Sequence, residues 1–245
     1  MANQVAPIHE KVTIIKTDTG EIRLSNRIIR EYLVNGNGTV TDPEISLFIA
    51  LCDAQKLNPF IKEAHLIKYG TTPATMVVSK DVFQKRADKH PQYVGKKAGI
   101  IILTADNKID YREGGFYIKS AEKIVGGWCE VYRKDRTIPE RIEVSFDEYV
   151  GTKGDGSING QWSKKPSTMI RKVAVAQALR EAFPQELQGM YSAEEFGEDE
   201  AQLNKNPIKV ETISTENKVL ENTNPFQQAV QQEQIQDDFS MPGME

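Results

Sequence analysis

YVGKKAGIIIL (residues 93–103), KIDYREGGFYIK (108–119), KIVGGWCEVYRK (123–134) and RIEVSF (141–146) are runs rich in β-branched and aromatic residues. Turn signals at Ala105-Asp106-Asn107 and from Thr137 to Glu140 separate them, so they read as four strands. At this spacing the strands predict an antiparallel meander. The paired glycines Gly114-Gly115 and Gly126-Gly127 mark bulges or places where something closes in on the backbone.

Toward the C-terminus, Ser145 and Glu148 have the spacing of a capping box that opens a short helix. Gly151 to Gly160 reads as a mobile loop. It leads into GQWSKKPSTMIRKVAVAQALREAF (160–183), a glycine-broken loop with an exposed tryptophan followed by a long helix entered through Pro166. At about 100° per residue, Met169, Val173, Ala176 and Arg180 share one stripe, with Arg171, Ala174, Ala178 and Ala182 roughly opposite. The alanine face lets another backbone, protein or nucleic acid, come close. An aromatic, two lysines and three further cations in one segment are the ingredients of phosphate clamps and base-stacking platforms.

Toward the N-terminus, the runs from Lys62 to Tyr69 and from Ala74 to Val78 read as a hairpin around Gly70 to Pro73. Ser79 caps a short helix whose apolar side holds Val82, Phe83 and Ala87 and which Pro91 ends. Asp42 caps a longer one, with Pro43 in its first turn and Ile45, Phe48, Ile49 and Cys52 at amphipathic spacing. Before it, a small hairpin turns at Asp18 to Gly20, a helical turn spans Asn26 to Leu33, and Asn35 to Thr39 is a flexible hinge by composition. The expected fold class is α+β, a twisted antiparallel sheet flanked by helices. The expected organisation is an N-terminal arm with a small core of its own and an oligomer contact (1–40), a core (41–200) and a disordered acidic tail (201–245).

The 245 residues are 39% hydrophobic and 27% charged, enough for one good core and a small appendage. No run approaches the roughly eighteen apolar residues of a membrane span and no secretion signal opens the chain, so a cytoplasmic protein is expected. Cys52 and Cys129 lie far apart without a CxxC, and His9, His65 and His90 are scattered, which points to neither a disulfide nor a metal site. Charge is divided more sharply than the net −4 suggests. Residues 56–182 hold 23 Lys and Arg against 15 Asp and Glu, whereas residues 183–245 hold 3 against 13. A basic body of this kind suits a polyanion, and an acidic end either repels that polyanion or docks on a basic partner.

Enzymatic signatures are missing. There is no GxxxxGK[ST] loop, no metal-nuclease spacing of carboxylates and no nucleophile elbow, which leaves binding without turnover and without a cofactor. Against that background LNPFIKE (57–63), CEVYRKDR (129–136), the GQW-to-REAF stretch and GMYSAEE (189–195) occur in an order and spacing that resemble the Bet-type phage recombination proteins of the Red-beta and RecT group of single-strand annealing proteins. The resemblance runs from roughly Leu47 to Glu195.

It implies an ATP-independent protein that coats single-stranded DNA left by a phage 5'-3' exonuclease and pairs it with a complementary strand into an annealed duplex. It also implies self-assembly into a ring or helical filament, a RAD52-like core with a basic groove, a bacterial host cytoplasm, and a host single-strand-binding protein as a further candidate partner. Carried onto this chain, the DNA-binding set is Lys62, Lys80, Arg133, Lys134, Arg136, Trp162, Lys164, Lys165, Arg171, Lys172 and Arg180. Where some relatives have cations, this chain has Ser167, Thr168 and Val173, so Lys164, Lys165 and Lys172 take their place. The tail does not resemble the compact C-terminal domain of some relatives.

Annealing demands that phosphates be neutralised while base edges stay free, so sequence readout should be nearly absent. Trp162 either stacks on a base, meets a neighbouring subunit or sits in the core. Arg180 either lines the groove or pairs with a neighbouring subunit's carboxylate. Arg133, Lys134 and Arg136 alternate faces along a strand, so not all three can enter one groove. The rival readings are an oligomeric adaptor protein of DNA metabolism without annealing activity, and a nuclease with an unrecognised metal site.

Overall fold

The computed structural model describes residues 12–153 and 155–197. The chain divides into two units, residues 1–208 and 209–245, and the second lies wholly outside the described residues, as do the start of the expected arm and the expected tail. In chain order the first unit runs β1 (Val12–Thr17), β2 (Gly20–Ser25), α1 (Asn26–Ile28), a π-helical turn (Ile29–Leu33), β3 (Val34–Gly36) and α2 (Asp42–Ala54). A 3-10 turn (Pro59–Ile61), β4 (Ala64–Lys68), β5 (Thr75–Val78) and α3 (Lys80–Lys89) follow. The main sheet then comes as β6 (Tyr93–Leu103), β7 (Ile109–Glu113), β8 (Lys123–Arg133) and β9 (Glu140–Ser145). Last come α4 (Phe146–Tyr149), α5 (Gly160–Lys164), α6 (Pro166–Ala182), α7 (Pro184–Leu187) and a 3-10 turn (Ala193–Phe196).

All four expected strands of the main sheet form and pair antiparallel, but their order is β7-β6-β8-β9, not that of a meander. The reason is burial. β7 has no buried position, whereas β6 buries Gly99 to Ile102 and β8 buries Gly126 to Cys129. Two long apolar strands stabilise each other best side by side, which leaves the polar β7 at the edge.

α6 covers one face of this sheet, touching β8, β9 and β6. Both of its stripes are buried: Met169, Val173 and Ala176 on one side, Ala174, Ala178 and Ala182 on the other. The alanine face therefore receives protein, and no part of it is left for nucleic acid. Gly127 makes the close packing possible, since a Cβ there would stand 2.8 Å from the Ile170 carbonyl oxygen. The second glycine pair thus marks close approach, with a bulge beside it where the β6–β8 register shifts between Ile101 and Ile102.

The N-terminal region differs from the expected arm. Its hairpin forms as read, with Val12 opposite Ser25 and Thr17 opposite Gly20. Yet Ile15, Leu24, Ile29, Leu33 and Val40 are buried within the same apolar cluster as α6 and the sheet, not in a small core of their own. The expected hinge begins as β3, which lies parallel to β4 with Asn35 opposite Ile67. Gly36 serves close approach there: its φ is +95° and a Cβ would fall 2.2 Å from the Lys68 carbonyl oxygen.

Caps also differ in detail. Thr41, not Asp42, caps α2, in a capping box with Glu44, while Asp42 accepts hydrogen bonds from Asn26 (2.7 Å) and Arg30 (2.5 Å). Ser79 caps α3 as expected, but Ser145 makes no capping hydrogen bond to α4. The expected loop at 151–160 carries a Thr152–Ile158 bridge, and the expected tryptophan loop is the short helix α5.

Glu44 also ties α2 to the small sheet β3-β4-β5. It accepts from the buried Lys68 ammonium at 2.6 and 2.8 Å and from the Ala74 N–H at 2.9 Å. The Lys68 hydrogen bond, ahead of those from Thr41 and Ala74, lowers the Glu44 pKa from its ordinary 4.5 to about 2. A depressed folded-state pKa contributes stability that is complete above the unfolded value and is lost as pH falls through the folded one.

Glu44→Gln is therefore expected to lower the urea midpoint at pH 7, with the gap to the unmodified chain closing as pH drops from 4.5 toward 2. Gly127→Ala is expected to cost about 1–3 kcal/mol, the range for overpacking a well-filled core, in the same denaturation experiment. A Gly127→Ala chain as stable as its parent would mean that α6 does not rest on β8 at this point.

Candidate nucleic-acid interface

Alternation along β6 puts Lys96, Ala98, Ile100 and Ile102 on the face that α6 covers, opposite Val131, Cys129, Gly127 and Ile124 of β8. Going back along the strand, the apolar residues give out at Lys96, where α3 and α6 flank the sheet. The Lys96 ammonium donates to Gln84 Oε1 of α3, and Gln84 in turn donates to Asp88 at 2.6 Å and to the Tyr93 hydroxyl at 3.1 Å. Lys80 opens α3 and Arg171 stands in the second turn of α6. Burial, helped by the like charges of Lys80 and Arg171, pulls the Lys96 ammonium below its usual range, and Asp88 offsets part of this. Beneath lies the Cys129 thiol, which burial pushes up to about 12, so it stays protonated and unreactive. The carboxylate bonded to this trio is Asp81, 3.0 Å from Lys80 and with an 86% exposed side chain, a pairing of little energetic worth.

The basic strip extends both ways from the trio. The β4–β5 ladder pairs Ala64 with Val78, and the Ser79 N–H donates to the Glu63 carbonyl at 3.0 Å, so Lys62 and Lys80 each stand one residue beyond the same paired end of the hairpin. In the other direction Ser167 stands one turn before Arg171 on α6. A Cβ on Gly115 would be 3.4 Å from the Ser167 hydroxyl, and the Gly114 N–H donates to the Ala98 carbonyl at 2.9 Å. The β7–β8 loop thus runs beside the head of α6, where Lys164 and Lys165 are exposed. Among the described residues, Lys62, Lys96, Lys164, Lys165 and Arg171 form no ion pair.

The other cations of the expected set are placed differently. Lys172 is 2.7 Å from the wholly buried Glu194. Arg180 grips Glu195 through two nitrogens at 3.0 and 2.6 Å, donates to the Met190 carbonyl at 3.1 Å and covers the Tyr191 ring. Its partner is a carboxylate of its own chain. Arg133 forks onto Asp135 at 2.9 and 2.7 Å, reaches the Ala182 carbonyl and lies over Phe183. Arg136 pairs with Glu140 at 2.9 Å, while Lys134 is exposed on the same turn. Trp162 is 0% exposed and meets Phe146 edge-on at 5.7 Å, a core residue and not an open stacking platform.

Sorting follows from GMYSAEE. Its two carboxylates come to rest against α6, and a buried carboxylate needs a cation. They take the helix cations nearest to them, Lys172 and Arg180, and leave Arg171, which faces the other way. Lys96 was missed in the sequence reading. Its signal was the Lys96-Lys97 pair in a strand, of which alternation must turn one lysine toward the helices.

Among the described residues no group of three His, Cys, Asp or Glu is placed to hold a metal ion, and no helix is long and apolar enough to cross a membrane. Residues 19–208 match the model of the RecT family. No curated protein matches the chain.

Arg180→Ala strands the nearly buried Glu195 carboxylate and is expected to cost about 3 kcal/mol in urea denaturation. Lys164→Ala and Lys165→Ala are expected to stay within about 0.5 kcal/mol of the parent. Equal stability for all three would place Arg180 among the cations free to meet a ligand.

Proposed function

Since the chain belongs to the RecT family, whose members are recombination and annealing proteins that bind DNA, we propose that it anneals single-stranded DNA without ATP, holding the strand along the strip from Lys62 to Lys165. The observation that carries this reading is that Lys80 and Arg171, from two other elements, lie close enough for their charges to act on Lys96. Like charges gathered at one place, one of them already penalised by burial, raise the energy of the free protein. An anion relieves that cost, and a phosphodiester backbone supplies one anion after another. Contacts of this kind hold the backbone and leave the base edges free to find a mate.

Lys62, Lys164 and Lys165 extend the grip on either side, and Lys134 is a more peripheral contact. Lys172, Arg133 and Arg180 act on the strand only indirectly, by fixing the elements that carry the strip, while Arg136, in a surface pair with Glu140, is a peripheral contact like Lys134. In this reading the core is RAD52-like, the working form is a homo-oligomeric ring or helical filament with contacts from residues 1–40, and a 5'-3' exonuclease supplies the strand in the cytoplasm of a bacterial host. A host single-strand-binding protein is a further partner, and the acidic end of the chain is where a partner docks.

The test is annealing of two complementary oligonucleotides without ATP, with EDTA in a parallel sample. The expected result is acceleration in both, with no shortened strands. The triple variant Lys80→Ala/Lys96→Ala/Arg171→Ala should lose most of this and lower the slope of log affinity against log salt by about 2, at about 0.7 per lost single-strand phosphate contact. An adaptor would give no acceleration, and a nuclease would give shortened strands when metal is present. An unchanged salt slope in the triple variant would put the strand elsewhere on the protein.

A further inference from the structure

Phe116 is 76% exposed, yet the loop that carries it is firmly held. Its neighbour Tyr117 packs against the main core, and the Gly114 N–H is fixed to the Ala98 carbonyl. The Ile118 N–H donates to Glu122 at 2.6 Å, and Arg112 forks onto the same carboxylate at 3.0 and 2.7 Å. The ring is thus presented to solvent by a braced turn. Burying a phenylalanine ring stabilises a fold, and here that gain is forgone.

Surroundings identify what the ring meets. Gly115, the residue before Phe116, lies beside Ser167 at the head of α6, where an added Cβ would stand 3.4 Å from the Ser167 hydroxyl, just after Lys164 and Lys165. Lys119 is exposed in the same loop, and none of these three lysines forms an ion pair among the described residues. An exposed aromatic on a loop beside the helix head that follows two unpaired lysines suits a ligand that is flat and apolar on one side and anionic on the other.

We propose that Phe116 is a base-stacking residue for single-stranded DNA, one nucleobase lying on its ring while Lys164 and Lys165 hold the adjoining phosphates. This rests on the strand-binding reading above and adds to it an aromatic contact, one of the three roles open to Trp162 in the sequence. Stacking is tolerant of sequence because every base has a π-face, so it suits a protein that must accept any strand.

The full chain is irradiated with oligonucleotides bearing 5-iodouracil, which crosslinks to aromatic rings it stacks on, and the adduct is mapped by mass spectrometry. The expected adduct is on the peptide holding Phe116, kept in Phe116→Tyr and lost in Phe116→Ala. Affinity of Phe116→Ala should fall about 5- to 150-fold, the range of one base–aromatic stack, with the salt slope unchanged because no cation is lost. Adducts elsewhere together with parental affinity in Phe116→Ala would overturn the proposal and leave the strip reading intact. A change in the sedimentation of DNA-free Phe116→Ala without loss of the adduct signal at other positions would make the ring a contact between copies, and would equally overturn it. Failure of the unmodified chain to bind single strands would remove both readings.

Discussion

The contact on which the rest of the structure depends is the one between the backbone of α6 and the backbone of β8 at Gly127. A helix this poor in large side chains, with alanine or valine at most buried positions, cannot be held at a distance, because the gap would leave its methyl groups without partners. It has to lie close, and only a residue without a Cβ lets the Ile170 carbonyl in. Once seated, the helix is buried on both stripes, and its few long polar side chains leave along its margins. Arg171 goes toward α3 and β6, while Lys172 and Arg180 go toward the segment at Ala193–Phe196.

Electrostatics then divides these margins. On one side the acids of GMYSAEE satisfy their helix partners so fully that the pairs act as fasteners between α6 and the end of the described chain. On the other side the buried Glu63 is taken up by Lys85, and Arg171 is left near Lys80 and Lys96. The same helix therefore has a neutralised edge that stabilises the fold and an edge on which like charges come together. Arg133 shows the same sorting at the end of β8, where a fork onto Asp135 and a seat on Phe183 tie the strand to the end of α6.

Aromatic residues are sorted by the same logic of burial. The two tryptophans offer the largest surfaces to hide: Trp162 of α5 lies against Phe146, and Trp128 lies across Gly99 with its indole N–H on the Arg112 carbonyl. Phe116 stays outside, on a loop held by Tyr117, Glu122 and Arg112. Whether an aromatic side chain is available to a ligand is thus settled by what braces its backbone, not by the polarity of its neighbours in the sequence.

Local pattern alone determined the elements: the four runs of the main sheet, the hairpins at Asp18–Gly20 and Gly70–Pro73, the start of α3 at Ser79 and of α6 at Pro166, because alternation, turn residues and helix-starting residues act over a few positions. It also determined that the body is basic and which motifs place the chain in its family. Strand order, the parallel pairing of β3 and the choice of Lys96, not Lys97, for the inner face were decided only in three dimensions, since burial is shared among strands far apart in the chain. The division of the cations was decided there as well. Lys172 and Arg180 look no different in the sequence from Arg171, and what separates them is which carboxylate the fold brings within 3 Å, a distance that residue spacing along the chain does not encode.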